Sequence, residues 1–284
     1  MYNKLSLIIV YLLTVNCISS SNKLSEGSIS GSFGVVYSDI NPSMVSGYDL
    51  LIVEPYFYSK QDINEFHSRG IKVVAYLSLG EVNESRSYFN DFKKIGLIGK
   101  NENHGSYYID LSENRIKEKF IDEIVPELLS YGYDGLFLDT IDAVAPYTLR
   151  RTMQQDMVDL ISGIRSRNPD KLLIQNAGLF LLDKTSNYID AVAVESVASD
   201  YDFKKNEYQI KPVKEYEEKL HLIDSLQNSY GIPFLIIDFA KNYETTVQVK
   251  SRLENSGFPF FISNIEFRGL PNALGKPSII KKGA

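Results

Sequence analysis

The chain has 284 residues, 44% hydrophobic and 23% charged, which is enough apolar side chain for a full core and unlike the composition of a disordered segment. A formal net charge of -6 argues against nucleic acid or an anionic membrane surface as the main partner. The single cysteine excludes an internal disulfide framework and a Cys-based zinc site.

In chain order, residues 1–16 place Lys4 before an apolar stretch from Leu5 to Leu13, the build of a secretory signal too short to span a bilayer. Cys17 and the polar run after it resemble a bacterial lipoprotein cleavage site, although Asn16 stands where a small residue is usual. The reading is a signal peptide over 1–16, lipidation of Cys17, a flexible tether over 17–31 and one domain over 32–284. That places the protein at the cell surface or in the periplasm, touching membrane only through its lipid. Plain secretion after cleavage near Ser19–Ser21 is the alternative.

Eight strands are predicted beyond the tether: Phe33–Ser38, Asp49–Glu54, Lys72–Leu79, Gly135–Asp139, Leu172–Asn176, Asp190–Glu195, Pro233–Asp238 and Phe258–Ser263. The acid-terminated runs among them are rich in Val, Ile, Leu and Phe and do not alternate with polar residues, as suits strands buried on both faces. Helical patterns lie between them at Gln61–Ser68, Glu113–Tyr131 with Ser112 as N-cap, Leu149–Arg167, Val213–Asn228 and Thr245–Asn255. The long connection Gly80–Asp134 has room for a helix and an active-site loop. The alternation predicts a single-domain α/β fold, a (β/α)8 TIM barrel.

Five of the apolar runs end on an acid: LLIVE at Glu54, AYLSLGE at Glu81, GLFLD at Asp139, AVAVE at Glu195 and LIID at Asp238. The carboxyl end of parallel strands is where barrel enzymes bind ligands. Strands four and six are separated by one strand, so Asp139 and Glu195 face one mouth across a gap a sugar can occupy. Two carboxylates there meet the minimum for glycoside cleavage. For each alone, a helix cap or a rim ion pair is an equally good reading.

The segments YSDI, IVEPY, AYLSLGE followed by Arg86, GYDGLFLDTIDA, IQNAG, VAVES and FPFFIS occur in an order that resembles glycoside hydrolase family 114, over residues 32–268. The resemblance implies a TIM-barrel glycosidase that cleaves α-linked, galactosamine-type polysaccharide. It implies Asp139 and Glu195 as the catalytic pair. NIEFRGL at 264–270 follows the family pattern only loosely.

The other rim residues read as substrate holders. Glu54 and Glu81 suit sugar hydroxyls or an ammonium, unless Arg86 or a lysine pairs with them. Asn176 can hydrogen-bond a sugar substituent, Tyr37, Tyr56 and Tyr76 can stack on sugar faces, and Asp238 can point into the pocket. Asp142 reads as a first-turn helix residue. His67, His104 and His221 have no ligand spacing, so neither metal nor cofactor is expected. The expected partner is a polysaccharide, taken by a monomer. Two other readings are a non-catalytic glycan- or protein-binding surface lipoprotein and a phosphate-handling barrel. The latter is disfavoured because Phe239–Glu244 and Asn264–Gly269 hold no glycine-rich anion nest.

Overall fold

The structure, a computed structural model, describes residues 31–271. The signal peptide, Cys17 and the tether up to residue 30 lie outside the described residues.

Eight parallel strands form a nearly closed barrel: β1 (Phe33–Val36), β2 (Leu50–Val53), β3 (Lys72–Ser78), β4 (Gly135–Asp139), β5 (Leu172–Asn176), β6 (Ala191–Glu195), β7 (Phe234–Phe239) and β8 (Phe260–Ser263). Each pairs with the next in sequence. Both faces are covered, and every residue of β1, β2 and β7 is buried. That is why these runs do not alternate with polar residues. The seam between β8 and β1 is closed by packing: Phe33 meets Phe261 with ring centroids 6.1 Å apart, and Tyr37 N–H donates to Phe267 O at 2.9 Å. Gly135 is required where β4 starts, because a Cβ there would lie 2.0 Å from Leu172 O.

The outer layer holds α1 (Lys60–Ser68), α2 (Phe89–Ile95), α3 (Asn114–Lys119), α4 (Val125–Leu129), α5 (Gln154–Arg167), α6 (Leu182–Thr185), α7 (Val213–Tyr230) and α8 (Tyr243–Leu253). Reciprocal capping bonds between Ser59 and Asp62 start α1, which buries Ile63 and Phe66. The helix expected over 113–131 is one run with a defect. A π-helical turn over Phe120–Ile124 joins α3 to α4. Pro126 explains it, since a residue without an N–H is tolerated where the helical ladder is already widened. Ser112 is not its cap: it bonds Asp110 Oδ1 through both its N–H and its hydroxyl, and Glu113 takes the cap position.

Two insertions decorate the carboxyl end of the barrel. Between β3 and β4, strands Glu81–Val82, Leu97–Asn101 and Ser106–Ile109 form a small antiparallel sheet. After β6, Ser199–Asp202 and Glu207–Ile210 form a hairpin. The sequence reading left room in this connection for an active-site loop beside the 113–131 helix, but it foresaw neither α2 nor these strands. It also carried AYLSLGE through as one run, whereas β3 ends at Ser78 and Glu81 opens the insertion sheet. No helix among the described residues is long and apolar enough to cross a membrane.

Candidate active site

Three adjacent strands end at one mouth on a polar side chain: β4 on Asp139, β5 on Asn176 and β6 on Glu195. Asn176 is nearly buried and joins the other two. Its amide nitrogen donates to Asp139 Oδ1 at 2.8 Å and to Glu195 Oε1 at 2.9 Å. Both bonds leave one nitrogen, so the two carboxylate oxygens lie no farther apart than 5.7 Å, the sum of those bonds. The trigonal amide group spreads its two N–H bonds by about 120°, which puts the oxygens about 5 Å apart.

Tyr76, from β3, donates its hydroxyl to the second Asp139 oxygen at 2.8 Å. Its ring packs edge-on against Tyr37 with centroids 4.9 Å apart and stacks on Phe137 at 6.4 Å. Burial first, then the Asp139 charge, holds the Tyr76 and Tyr37 hydroxyls well above the ordinary phenol range, so both remain donors. Glu195 is the perturbed acid. Burial, then the neighbouring Asp139 carboxylate, pushes its carboxyl from 4.5 up to about 7, against the Asn176 hydrogen bond that lowers it. Near neutral pH it therefore holds its proton about half the time.

Several expected substrate holders have protein partners instead. Glu54 is clamped by Arg86 through two bonds of 2.7 and 2.8 Å, the ion-pair alternative to sugar binding. The same guanidinium lies over Tyr56 at 4.7 Å and Tyr76 at 5.8 Å. Glu81 sits at the base of the insertion, accepting from Asn101 at 3.0 and 3.3 Å and from the Ser106 hydroxyl, so it is not a free rim carboxylate. Asp238 is fully buried, and backbone N–H groups of Val197, Ala198 and Ser199 reach it at 3.1, 2.7 and 2.8 Å, as does the Ser199 hydroxyl. It fastens the chain just beyond Glu195 and does not point into the pocket. Tyr37 and Tyr76 present their rings to protein neighbours, and Asn176 gives both N–H groups to carboxylates. Tyr56 remains exposed at the mouth.

Sequence reasoning missed two features. Lys219 on α7 donates to the Glu195 and Ser196 carbonyls, and no motif marks it. The tips of the two insertions also meet, with the rings of His104 and Phe203 at 5.4 Å. The first insertion rises from β3, whereas the second follows β6, and its Tyr208 accepts from Ile265 N–H beyond β8. Their contact joins the loop region after β3 to the one after β6. Only tertiary placement reveals such a bridge. His67 is elsewhere, 2.9 Å from Asp134 at the start of β4. Among the described residues no group of three or more His, Cys, Asp or Glu is placed to hold a metal ion.

Comparison with known proteins agrees with this fold. The model of the glycoside hydrolase family GH114 matches residues 22–266. The chain belongs to that family, and it is a glycosidase. In fold it is similar to the glycoside hydrolase domain of PelA from Pseudomonas aeruginosa, at 22% identity over 83% of this chain and 95% of that one, with a TM-score of 0.74. It is also similar to Ega3 of Aspergillus fumigatus, solved in complex with galactosamine, at 16% identity over 86% and 95%, with a TM-score of 0.66. A Thermotoga maritima protein of uncharacterized function is 23% identical over 235 residues, 73% of this chain and 70% of its own length.

Proposed function

We propose that this family 114 glycosidase cleaves α-linked, galactosamine-type polysaccharide with retention of configuration, Asp139 acting as nucleophile and Glu195 as general acid/base. The observation that carries the mechanism is the Asn176 bridge. A spacing of about 5 Å between the carboxylate oxygens suits direct attack on the sugar, whereas inversion needs roughly 6.5–9.5 Å to admit a water. The galactosamine in the Ega3 complex supports an aminosugar substrate.

In this mechanism protonated Glu195 gives its proton to the leaving glycosidic oxygen as an Asp139 oxygen bonds the anomeric carbon. Tyr76 and Asn176 hold the Asp139 carboxylate in the orientation for attack. The ionised Glu195 then takes a proton from water, whose oxygen displaces Asp139 and regenerates both groups. A carboxyl with a pKa of about 7 suits an acid that must become a base within one cycle.

Asp139→Asn and Glu195→Gln proteins that fold normally should each lose at least about 10³-fold in kcat on oligogalactosamine. Full activity in either would overturn the assignment. Proton NMR of the first product should show the α anomer, and the β anomer would overturn retention. The signal at residues 1–16 and Cys17 support secretion with a lipid anchor. Cys17→Ser should release the protein into the medium or stall its processing; unchanged partition with detergent-soluble membrane material would refute anchoring.

A further inference from the structure

Each strand-end residue at the site is followed by a non-glycine residue in the left-handed region: Thr140 at φ 60° after Asp139, Ala177 at 53° after Asn176 and Ser196 at 57° after Glu195. A side chain with a Cβ resists that conformation, so each turn needs something to hold it. Two are held from within the barrel ends. Thr140 Oγ1 shares a hydrogen bond with the Ser78 hydroxyl and accepts from Gly80 N–H, both at 2.8 Å. Gln175 donates to Ala177 O at 3.0 Å and Gly178 O at 3.2 Å. The third is held by a helix of the outer layer. Lys219, on α7, donates its ammonium to Glu195 O at 2.6 Å and Ser196 O at 3.1 Å.

We infer that Lys219 is the positioning residue of Glu195: its ammonium fixes the left-handed Glu195–Ser196 turn and so sets where the carboxyl points. This rests on the acid/base reading of Glu195 given above. Other contacts brace the same segment. Ser196 N–H donates to Ile237 O at 2.9 Å, and Asp238 binds the next three amides. Lys219 alone among these brings a positive charge to the turn. The groups facing Glu195 are Asp139 and Asp142 from β4 and its following turn, Asn176 from β5, Tyr37 beyond β1 and Lys219 from α7. The two aspartates raise its pKa, whereas Asn176 and Lys219 lower it. Lys219 itself faces Lys211, Asp238 and Asp200; burial, then Lys211, lowers its own pKa.

Lys219→Met keeps the stem and removes donor and charge. We expect kcat to fall roughly ten- to hundredfold with KM for oligogalactosamine nearly unchanged, because the displaced group acts in the chemical step. The alkaline limb of the kcat/KM profile should move to higher pH, since an opposing charge has left Glu195. Lys219→Arg should recover most of the rate and return the limb. Ser196→Gly in the Met background removes the conformational strain, so it should recover rate while leaving the limb displaced. A folded Lys219→Met protein with unaltered kcat and limb overturns the inference, as does one that loses only thermal stability. If that variant does not fold, the Ser196→Gly double variant and Lys219→Gln carry the same measurement. Glu195→Gln separates the two ideas: full activity there fails the acid/base reading, whereas an inactive Gln variant beside a normal Lys219→Met profile fails only the role of Lys219.

Discussion

Glu195 imposes a stability cost that exists only when it is ionised. Its carboxyl titrates near 4.5 in an open chain and at about 7 in the fold. At 1.36 kcal/mol per pK unit, that displacement is worth about 3 kcal/mol, and solvent at the mouth reduces it to roughly 2–3 kcal/mol. The sign follows from which state holds the proton. Below 4.5 both states are protonated and nothing is lost. Between 4.5 and about 7 the unfolded chain ionises first, so stability falls as pH rises. Above about 7 the whole cost stands. Glu195→Gln keeps the shape and never ionises. It should match the parent protein near pH 4 and exceed it by roughly 2–3 kcal/mol near pH 8, or about 5–10 °C in Tm for a domain of this size. Urea unfolding of both proteins across that range measures the gap. A gap that is constant with pH, or absent at high pH, would refute the burial and charge account of Glu195. Under the acid/base role proposed for Glu195, the variant that loses activity is the one that gains stability, the expected trade at a buried functional carboxyl.

Tyr76→Phe deletes the hydroxyl on Asp139 and keeps the ring, so kcat should drop about tenfold with KM little changed; steady-state kinetics on oligogalactosamine would contradict this if KM alone moved. Arg86→Met leaves Glu54 half-buried without its counter-charge and should cost about 3 kcal/mol in urea unfolding. Adding Glu54→Gln should recover part of that loss, and no recovery would mean that the pair is not coupled. Asp238→Asn places a donor among three backbone N–H groups and should cost about 2–4 kcal/mol. Hydrogen exchange should accelerate first at the amides of 197–199, and uniform acceleration would argue against a local clamp.

What the sequence determines here is what depends on neighbours along the chain. A strand covered on both faces must be apolar at every position, so GLFLD, AVAVE and LLIV announce their strands, and alternation with helices announces the barrel. A lone acid closing such a run marks the strand's exit from the core, which made Asp139 and Glu195 legible as rim residues. The same rule misled at Glu81, because a two-residue break within SLGE turns the chain into a separate sheet. It misled at Asp238 as well, since an acid at a strand end can face backbone amides as readily as solvent. Tertiary structure alone decided the partners: the single amide of Asn176 between two carboxylates, Arg86 reaching back 32 residues to Glu54, and Lys219 reaching the turn after β6 from α7. Local pattern records whether a side chain must leave water. Which polar group meets it there is set by how the strands register and where the helices dock, and that geometry is fixed only when the barrel closes.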